Sequence, residues 1–376
     1  LQVLITGANG FVGKNLGLHL EEREDIEVLR FTRQNVLSDL PGLIGQADCV
    51  VHLAGVNRPE DPVEFREGNT DLTAEIARCV RESGRKVPVI YTSSIQAERD
   101  NAYGASKEAA ERALLELHRA EGVPVHIFRL PNVFGKWARP NYNSAVATFC
   151  YSIAQDLSIQ VNDPEAVVQL VYIDDVVSHF MGIIDGEPAS QPYTEVEPVH
   201  RITVGELAEI LTRFRRSREN LITEAVGEGL TRKLYATYVS YLPPERFTYT
   251  VPRHGDERGM FVEMLKTRDS GQFSFFTAHP GITRGGHYHH SKTEKFLVIK
   301  GQARFCFRHM VTGEFYELAT SGDRPEIVET VPGWTHDITN TGEDELVCML
   351  WANEIFDRDN PDTYACPLNQ SAGADK

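Results

Sequence analysis

His287, His289 and Glu294 lie close together in "GGHYHHSKTEKF", and His336 follows in "GWTHDITN". Three imidazoles and a carboxylate are a donor set that suits zinc, and also iron, manganese or nickel. His287 and His289 are two apart, so on one strand they point the same way. Glu294 on the next strand and His336 from a distant one complete a three-nitrogen, one-oxygen site. A solvated histidine-rich loop would also place three histidines within four residues; the distant His336 argues for the metal. His290 is out of phase with its neighbours and is expected at the surface or behind the ligands. A second reactive group lies far upstream in "YTSSIQAERDNAYGASK". Tyr103 and Lys107, four apart, share a face of a helix. An ammonium beside a phenol lowers its pKa, so the phenol can exchange a proton with a carbonyl or alcohol oxygen. Ser94, or Ser93 next to it, can hold that same oxygen.

These side chains need elements to carry them. The chain opens with "VLITGANGFVG", a strand followed by Gly7-x-x-Gly10-x-x-Gly13 at the start of a helix. Glycines let backbone approach a pyrophosphate closely, and a helix N-terminus favours its charge. Strands are predicted at Val3–Thr6, Val28–Phe31, Cys49–Leu53, Val89–Ser93 and Val125–Arg129. Helical stretches at Gly13–Glu22, Leu72–Ser83 and Lys107–Glu121 lie between them. That alternation predicts a parallel sheet covered on both faces. Residues 181–245 read as mostly helical, with a Thr203–Glu206 capping box. From 247 to 366 the pattern changes to period two with turn signals, the texture of an antiparallel barrel or jelly roll. Pro243-Pro244 marks the expected boundary between a domain at 1–245 and one at 246–376. The last residues, 369–376, are expected to fray.

A length of 376 residues suits two domains, and 41% hydrophobic with 24% charged residues suits packed cores. The net charge of −16 repels phosphate backbones and anionic lipid, so neither nucleic acid nor a membrane is expected as a partner. No apolar run approaches the roughly 20 residues of a membrane helix. The six cysteines form no C-x-x-C pair and read as reduced, buried thiols of a cytoplasmic protein. "VLRFTR" ends the second strand with Arg30 and Arg33 where NAD-binding turns place an acid. Arginine suits a 2′-phosphate, so NADPH is the expected cofactor.

With these motifs in place, residues 1–245 resemble the extended short-chain dehydrogenase/reductases that act on nucleotide sugars: an α/β Rossmann-type, doubly wound parallel sheet. The resemblance implies a cofactor site at Gly7, Gly10, Phe11, Val12 and Gly13, with Arg33 and, from "DCVVHLAG", Asp48, Leu53, Ala54 and Gly55. "RLPNVFG" brings Pro131 and Asn132 near nicotinamide and substrate. Ser94, Tyr103 and Lys107 are the implied catalytic residues. Dehydratases of the family carry an Asp-Glu pair after the Ser/Thr; Ile95-Gln96 stands here, which favours a ketone reductase.

Residues 281–301 fit the first cupin signature, and Gly333 to Asn340 most of the second. "DERGMFVE" and "TRGGHYHH" are also similar to segments of the metal-free dTDP-4-keto-6-deoxyglucose 3,5-epimerases, whose histidine at the place of His287 is a base. A histidine that ligates zinc cannot also serve as that base. The base is then His290, Lys292 or Lys295, with Tyr364 as acid. Over essentially the whole chain the order of motifs resembles the bifunctional capsular-polysaccharide enzymes. That resemblance implies a UDP-linked 4-keto-6-deoxy-N-acetylhexosamine, C3 epimerisation in the cupin and NADPH reduction at C4. The implied product is UDP-2-acetamido-2,6-dideoxy-L-talose, made by a zinc-containing homodimer. Two rivals remain: a single-activity ketoreductase with a binding or dimerising cupin, and a 4-epimerase that recycles tightly held NAD.

Overall fold

The structure is a computed structural model that describes residues 1–187, 189, 192–251, 253–256, 259–262, 264–267, 271–354 and 359–368. The tail at 369–376, and Arg258 and Glu263 of "DERGMFVE", lie outside them.

The amino-terminal part alternates β1 (Gln2–Thr6), α1 (Phe11–Glu21), β2 (Glu27–Phe31), α2 (Leu40–Gln46), β3 (Cys49–His52), α3 (Val63–Phe65), α4 (Leu72–Glu82), β4 (Val89–Ser94), α5 (Ala102–Glu121) and β5 (Val125–Leu130). The five strands are parallel, in the order β2-β1-β3-β4-β5. Their near-continuous apolar runs follow from cover on both faces: Val3, Leu4, Ile5, Val50 and Val51 are wholly buried. The strand order reverses between β1 and β3. At such a switch point the crevice outside the carboxyl ends of the strands is open to a ligand. All five strands and three helices appear within a few residues of the predicted bounds; α5 begins five residues earlier, so Tyr103 lies in its first turn.

Residues 125–245 hold strands beyond those predicted, and one of them, His200–Thr203, lies inside the stretch 181–245 read as mostly helical. Short strands β6 (Asn132–Phe134), β7 (Val167–Tyr172) and β8 (His200–Thr203) form a separate three-stranded sheet. Helices α6 (Ala145–Ala154), α7 (Ile173–Ile184), α8 (Val204–Asn220) and α9 (Gly229–Val239) complete the region. The Thr203 hydroxyl accepts from the Glu206 N–H at 3.1 Å while Glu206 accepts from the Thr203 N–H at 2.9 Å, the predicted capping box.

Beyond Pro244 two five-stranded antiparallel sheets form a cupin-like jelly roll. One runs Thr248–Thr250, Glu326–Glu329, Glu294–Lys300, Leu346–Ala352, Gln272–Ala278 in spatial order. The other runs Phe315–Ser321, Gln302–His309, Trp334–Asn340, Thr283–Tyr288, Tyr364–Ala365. Aromatic rings interleave between them: Phe296 lies 5.6 Å from Phe305, and Phe247 lies 5.0 Å from Trp334.

Compact units divide the chain elsewhere than at 245/246. One comprises 1–134, 141–144 and 168–202, the other 135–140, 145–167 and 203–376. Helices α8 and α9 therefore belong with the barrel. Phe214 of α8 packs edge-on to Tyr235 of α9 at 5.0 Å, and Arg218 and Tyr235 both reach Glu329 on a barrel strand. Five of the six cysteines are buried and Cys366 is partly exposed; all six are free thiols. Among the described residues no helix is long and apolar enough to cross a membrane.

Candidate active site and metal centre

Gly7 follows β1 with a φ of +69°, and a Cβ there would lie 2.7 Å from the Ala54 nitrogen. Only glycine allows the turn and the close approach together. Gly10 caps α1, and Phe11, Val12 and Gly13 form its first turn, where backbone N–H groups have no partner within the helix. Leu53, Ala54 and Gly55 leave β3 beside that turn. The Leu53 and Ala54 N–H groups donate to the Thr6 carbonyl at 3.2 Å and hydroxyl at 3.3 Å.

Behind this loop lies a buried chain of hydrogen bonds. The Thr73 hydroxyl donates to the Asn69 carbonyl at 2.6 Å, so it must accept from His52 Nε2 at 2.8 Å. His52 Nδ1 is then the acceptor for the Thr6 hydroxyl at 2.7 Å. One tautomer is fixed, and burial pushes the imidazole down to about 3, so it is neutral.

Arg33 lies just beyond β2 and is exposed, whereas Arg30 pairs with Glu21 at 2.5 Å. Asp48 is placed otherwise than expected. It precedes β3, accepts from the Gln2 N–H at 2.9 Å and pairs with Arg85 at 3.1 Å, at the opposite edge of the sheet from Gly7. Pro131 and Asn132 follow β5 at the carboxyl edge, where the Asn132 side chain donates to the Gln169 carbonyl at 3.1 Å.

Ser93 and Ser94 have different partners. Neighbouring strand residues face opposite sides. The Ser93 hydroxyl donates to buried Glu111 at 2.5 Å, and Glu111 also pairs with Arg129 at 2.6 Å. Ser94, on the other face of β4, accepts from the Gln96 N–H at 3.1 Å, while the Asn101 side chain caps α5 through the Gly104 N–H at 2.8 Å. Burial raises the Tyr103 phenol, with neighbouring Ser94 acting the other way. Lys107 lies one turn further along α5 and is buried. Its buried ammonium donates to the Thr92 carbonyl at 3.0 Å, and burial pushes it down to about 8.

In the barrel, Gly285 has a φ of +105°, and a Cβ on it would lie 2.8 Å from the His336 carbonyl oxygen. The register shifts between Gly285 and His287, a bulge of the kind that re-aims a side chain. His287 pairs with His336 across the strands, and their rings are 4.8 Å apart. The nearest donor atoms of His287, His289, Glu294 and His336 all lie within 4.8 Å of one another.

Three observations fit this cluster to a cation. The His289 Nδ1 lies 2.7 Å from the Asp362 carbonyl oxygen, which can only accept, so Nδ1 carries the proton. Its Nε2 then faces a Glu294 carboxylate oxygen at 3.0 Å, acceptor against acceptor, which needs a second proton or a metal between them. Among the described residues neither ring nitrogen of buried His336 has a hydrogen-bond partner, and its Nε2 lies 3.6 Å from Glu294. Burial, with His336 and His289 beside it, pushes His287 down to about 3, so its ring is a neutral donor. Glu294 is held well below the usual carboxylate range by His289 and His336, against its burial.

The base candidates scatter. Lys295 lies on the opposite face of its strand from Glu294, in a buried ion pair with Glu329, and that carboxylate holds its ammonium well above the usual range despite burial. It carries no lone pair to accept a proton. Lys292 is buried, donates to the Thr363 hydroxyl at 2.7 Å and approaches Glu294 at 3.9 Å. His290 is buried rather than at the surface, 4.9 Å edge-on from the Tyr364 ring. Tyr364 pairs with Tyr288 and stacks on it at 5.5 Å, so it shares Tyr288's face of the sheet and not that of His287. Sequence reading missed Asp362, Glu111 and Glu329, whose partners are remote in the chain.

Residues 3–193 match the NAD dependent epimerase/dehydratase family, and residues 254–364 the polysaccharide biosynthesis C-terminal domain. A Pseudomonas aeruginosa protein named UDP-2-acetamido-2,6-beta-L-arabino-hexul-4-ose reductase is 63% identical over 99% of this chain and 100% of its own. The crystal structure of the capsular polysaccharide assembling protein CapF from Staphylococcus aureus matches with a TM-score of 0.67 at 40% identity, covering 98% of this chain and all of that one. A UDP-glucuronic acid 4-epimerase from Bacillus cereus in complex with NAD, 17% identical, shares the fold over 57% of this chain and 83% of its own, with a TM-score of 0.52. With matches that run along the full length, the chain belongs to the NAD dependent epimerase/dehydratase family and, within it, to the two-domain capsular-polysaccharide enzymes represented by CapF.

Proposed function

We propose that this chain reduces the C4 ketone of a UDP-linked 4-keto-6-deoxy-N-acetylhexosamine with NADPH, after its barrel has inverted C3 of the same sugar. The product is UDP-2-acetamido-2,6-dideoxy-L-talose for capsule or O-antigen, and the working form is a cytoplasmic homodimer. The observation that carries the reduction is that α5 sets Tyr103 and Lys107 one turn apart and brings the Lys107 ammonium against Gly55, on the loop that packs on the turn at Gly7. It is supported by 63% identity to a protein named as a UDP-hexulose reductase. Ser94 holds O4 by a hydrogen bond, and the Tyr103 phenol gives its proton to O4 as negative charge develops there. Lys107 supplies the positive charge behind the phenol. Arg33 stands where a 2′-phosphate would favour it. Ile95 and Gln96 offer no carboxyl group to expel water, so the ketone is reduced rather than formed.

The epimerisation rests on the barrel. A ketone acidifies the neighbouring C–H, so C3 exchanges its proton before the ketone is removed. His287, His289, Glu294 and His336 would hold a divalent metal, zinc first, which when bound polarises a carbonyl as a Lewis acid or braces the fold. With His287 among the ligands, Lys292 or the His290–Tyr364 pair is left to move the proton.

A second reading makes the barrel a binding or dimerising module. It is favoured by the ion pairing of Lys295 and by the placement of Tyr364 on the face away from His287. Deuterium uptake at C3 in D2O without NADPH separates the two. Uptake that survives Tyr103→Phe in the full chain supports the epimerase. No uptake above the enzyme-free control, in metal-replete protein that still oxidises NADPH, leaves a simple ketoreductase.

A further inference from the structure

The segment before the last strand carries a residue that no motif singled out. Asp362 has a φ of +37°, a left-handed conformation that costs most non-glycine residues free energy and suits Asp and Asn best. Its side chain and main chain converge on one turn, residues 289–292. One carboxylate oxygen accepts the His290 N–H at 2.9 Å. The other accepts the Ser291 N–H at 2.9 Å, the Ser291 hydroxyl at 3.1 Å and the Lys292 N–H at 2.7 Å. Its own carbonyl accepts the His289 Nδ1 proton at 2.7 Å. The neighbours add to the grip: Lys292 donates to the Thr363 hydroxyl at 2.7 Å and the Pro361 carbonyl at 3.3 Å.

We propose that Asp362 is a positioning residue for the His287–His289–Glu294–His336 cluster. It presents the turn through its carboxylate and fixes which nitrogen His289 offers through its carbonyl. The proposal rests on the reading of that cluster as a metal site. The physical reason is directional. A turn with three backbone N–H groups aimed inward is held open only by an acceptor that reaches all three, and a carboxylate has the lone pairs to do so. The left-handed backbone turns the carbonyl of the same residue toward His289. Without the carboxylate the turn can close on itself, and His289 loses the partner that keeps Nε2 facing Glu294. Groups behind a ligating histidine typically set metal affinity by about 10- to 100-fold.

The test compares zinc affinity of the full-length wild type with Asp362→Asn, Asp362→Ala and Asp362→Gly, by competition with a chromophoric chelator. Cobalt(II) absorption is read as a report on ligand geometry. Ala and Gly should both weaken zinc by about 10- to 100-fold and alter the cobalt spectrum. Glycine relaxes the backbone yet should not rescue, because the carboxylate is what is missing. Asn keeps one acceptor oxygen and should fall between; should Ala and Gly fail to fold, Asn against wild type decides. Variants that bind zinc as tightly as a zinc-binding wild type, with the same cobalt spectrum, overturn the proposal and leave the metal reading standing. A wild type that takes up neither metal overturns both.

Discussion

Glu329 offers the sharpest energetic test of how the barrel is held to α8 and α9. Its carboxylate is buried and serves two cations at once, Lys295 and Arg218, and it also accepts from the Tyr235 hydroxyl at 3.1 Å. Glu329→Gln is close to isosteric, so no cavity forms. What it removes is the charge, which leaves two buried cations facing a neutral amide. Removing one partner of a buried ion pair costs about 3–5 kcal/mol. At about 2–4 °C per kcal/mol for a unit of this size, the calorimetric transition of the full chain should drop by about 6–20 °C. Lys295→Met should cost less, about 1–3 kcal/mol, because Glu329 keeps Arg218 and one buried charge is removed with the bond. The order Glu329→Gln worse than Lys295→Met is therefore the signature of a doubly paired carboxylate. A Glu329→Gln melting point within 2 °C of wild type, an allowance of about 1 kcal/mol, would refute the reasoning. The same Lys295→Met protein tests chemistry: with its ammonium committed to Glu329, C3 deuterium uptake should persist below the melting transition. Uptake lost at unchanged stability would return Lys295 to the role of base.

Other outcomes follow from the nucleotide-binding half. Ser94→Ala should lower kcat for ketone reduction by about 10²–10³, as removal of a donor to a developing oxyanion does. Ser93→Ala should leave kcat nearly unchanged and lower the melting point slightly, since Glu111 keeps Arg129; steady-state kinetics on both variants checks this. Arg33→Ala should raise KM for NADPH by about 10- to 100-fold, the worth of a charge-assisted bond, and spare NADH. The alkaline limb of kcat/KM should begin near pH 8, where buried Lys107 loses its proton, and should move upward in Lys107→Arg. The sign is fixed by the lowered ammonium: the charged form is present below that pH and lost above it.

What could be read from the chain is what is local. The glycine turn, the Tyr103–Lys107 spacing and the Thr203–Glu206 cap each span a few residues, and each lies on the kind of element expected, although α5 reaches back past its predicted start to include Tyr103. His287, His289 and Glu294 were legible for the same reason, and His336 because its surroundings repeat a signature. Asp362 and Glu329 were not, since their partners lie 70 to 73 and 34 to 111 residues away. Nothing in "PDTY" or "IVET" announces such a contact. Asp48 misled because its motif runs through a whole strand, and its two ends lie at opposite edges of the sheet. Ser93 and Ser94 could not be separated until strand alternation was tied to a named neighbour. β6 to β8 were missed because strands of three to six residues among helices carry too little periodicity to stand out.

The hydrogen-bond chain through His52 makes that residue a built-in clock. Its ring is wholly buried, its tautomer is fixed, and its Nε2 proton points at the Thr73 hydroxyl on α4. That proton can trade with solvent only when β3 and α4 part company. The exchange lifetime of one downfield imidazole resonance therefore times the opening of the nucleotide-binding half, and it does so without reference to anything that happens in the barrel.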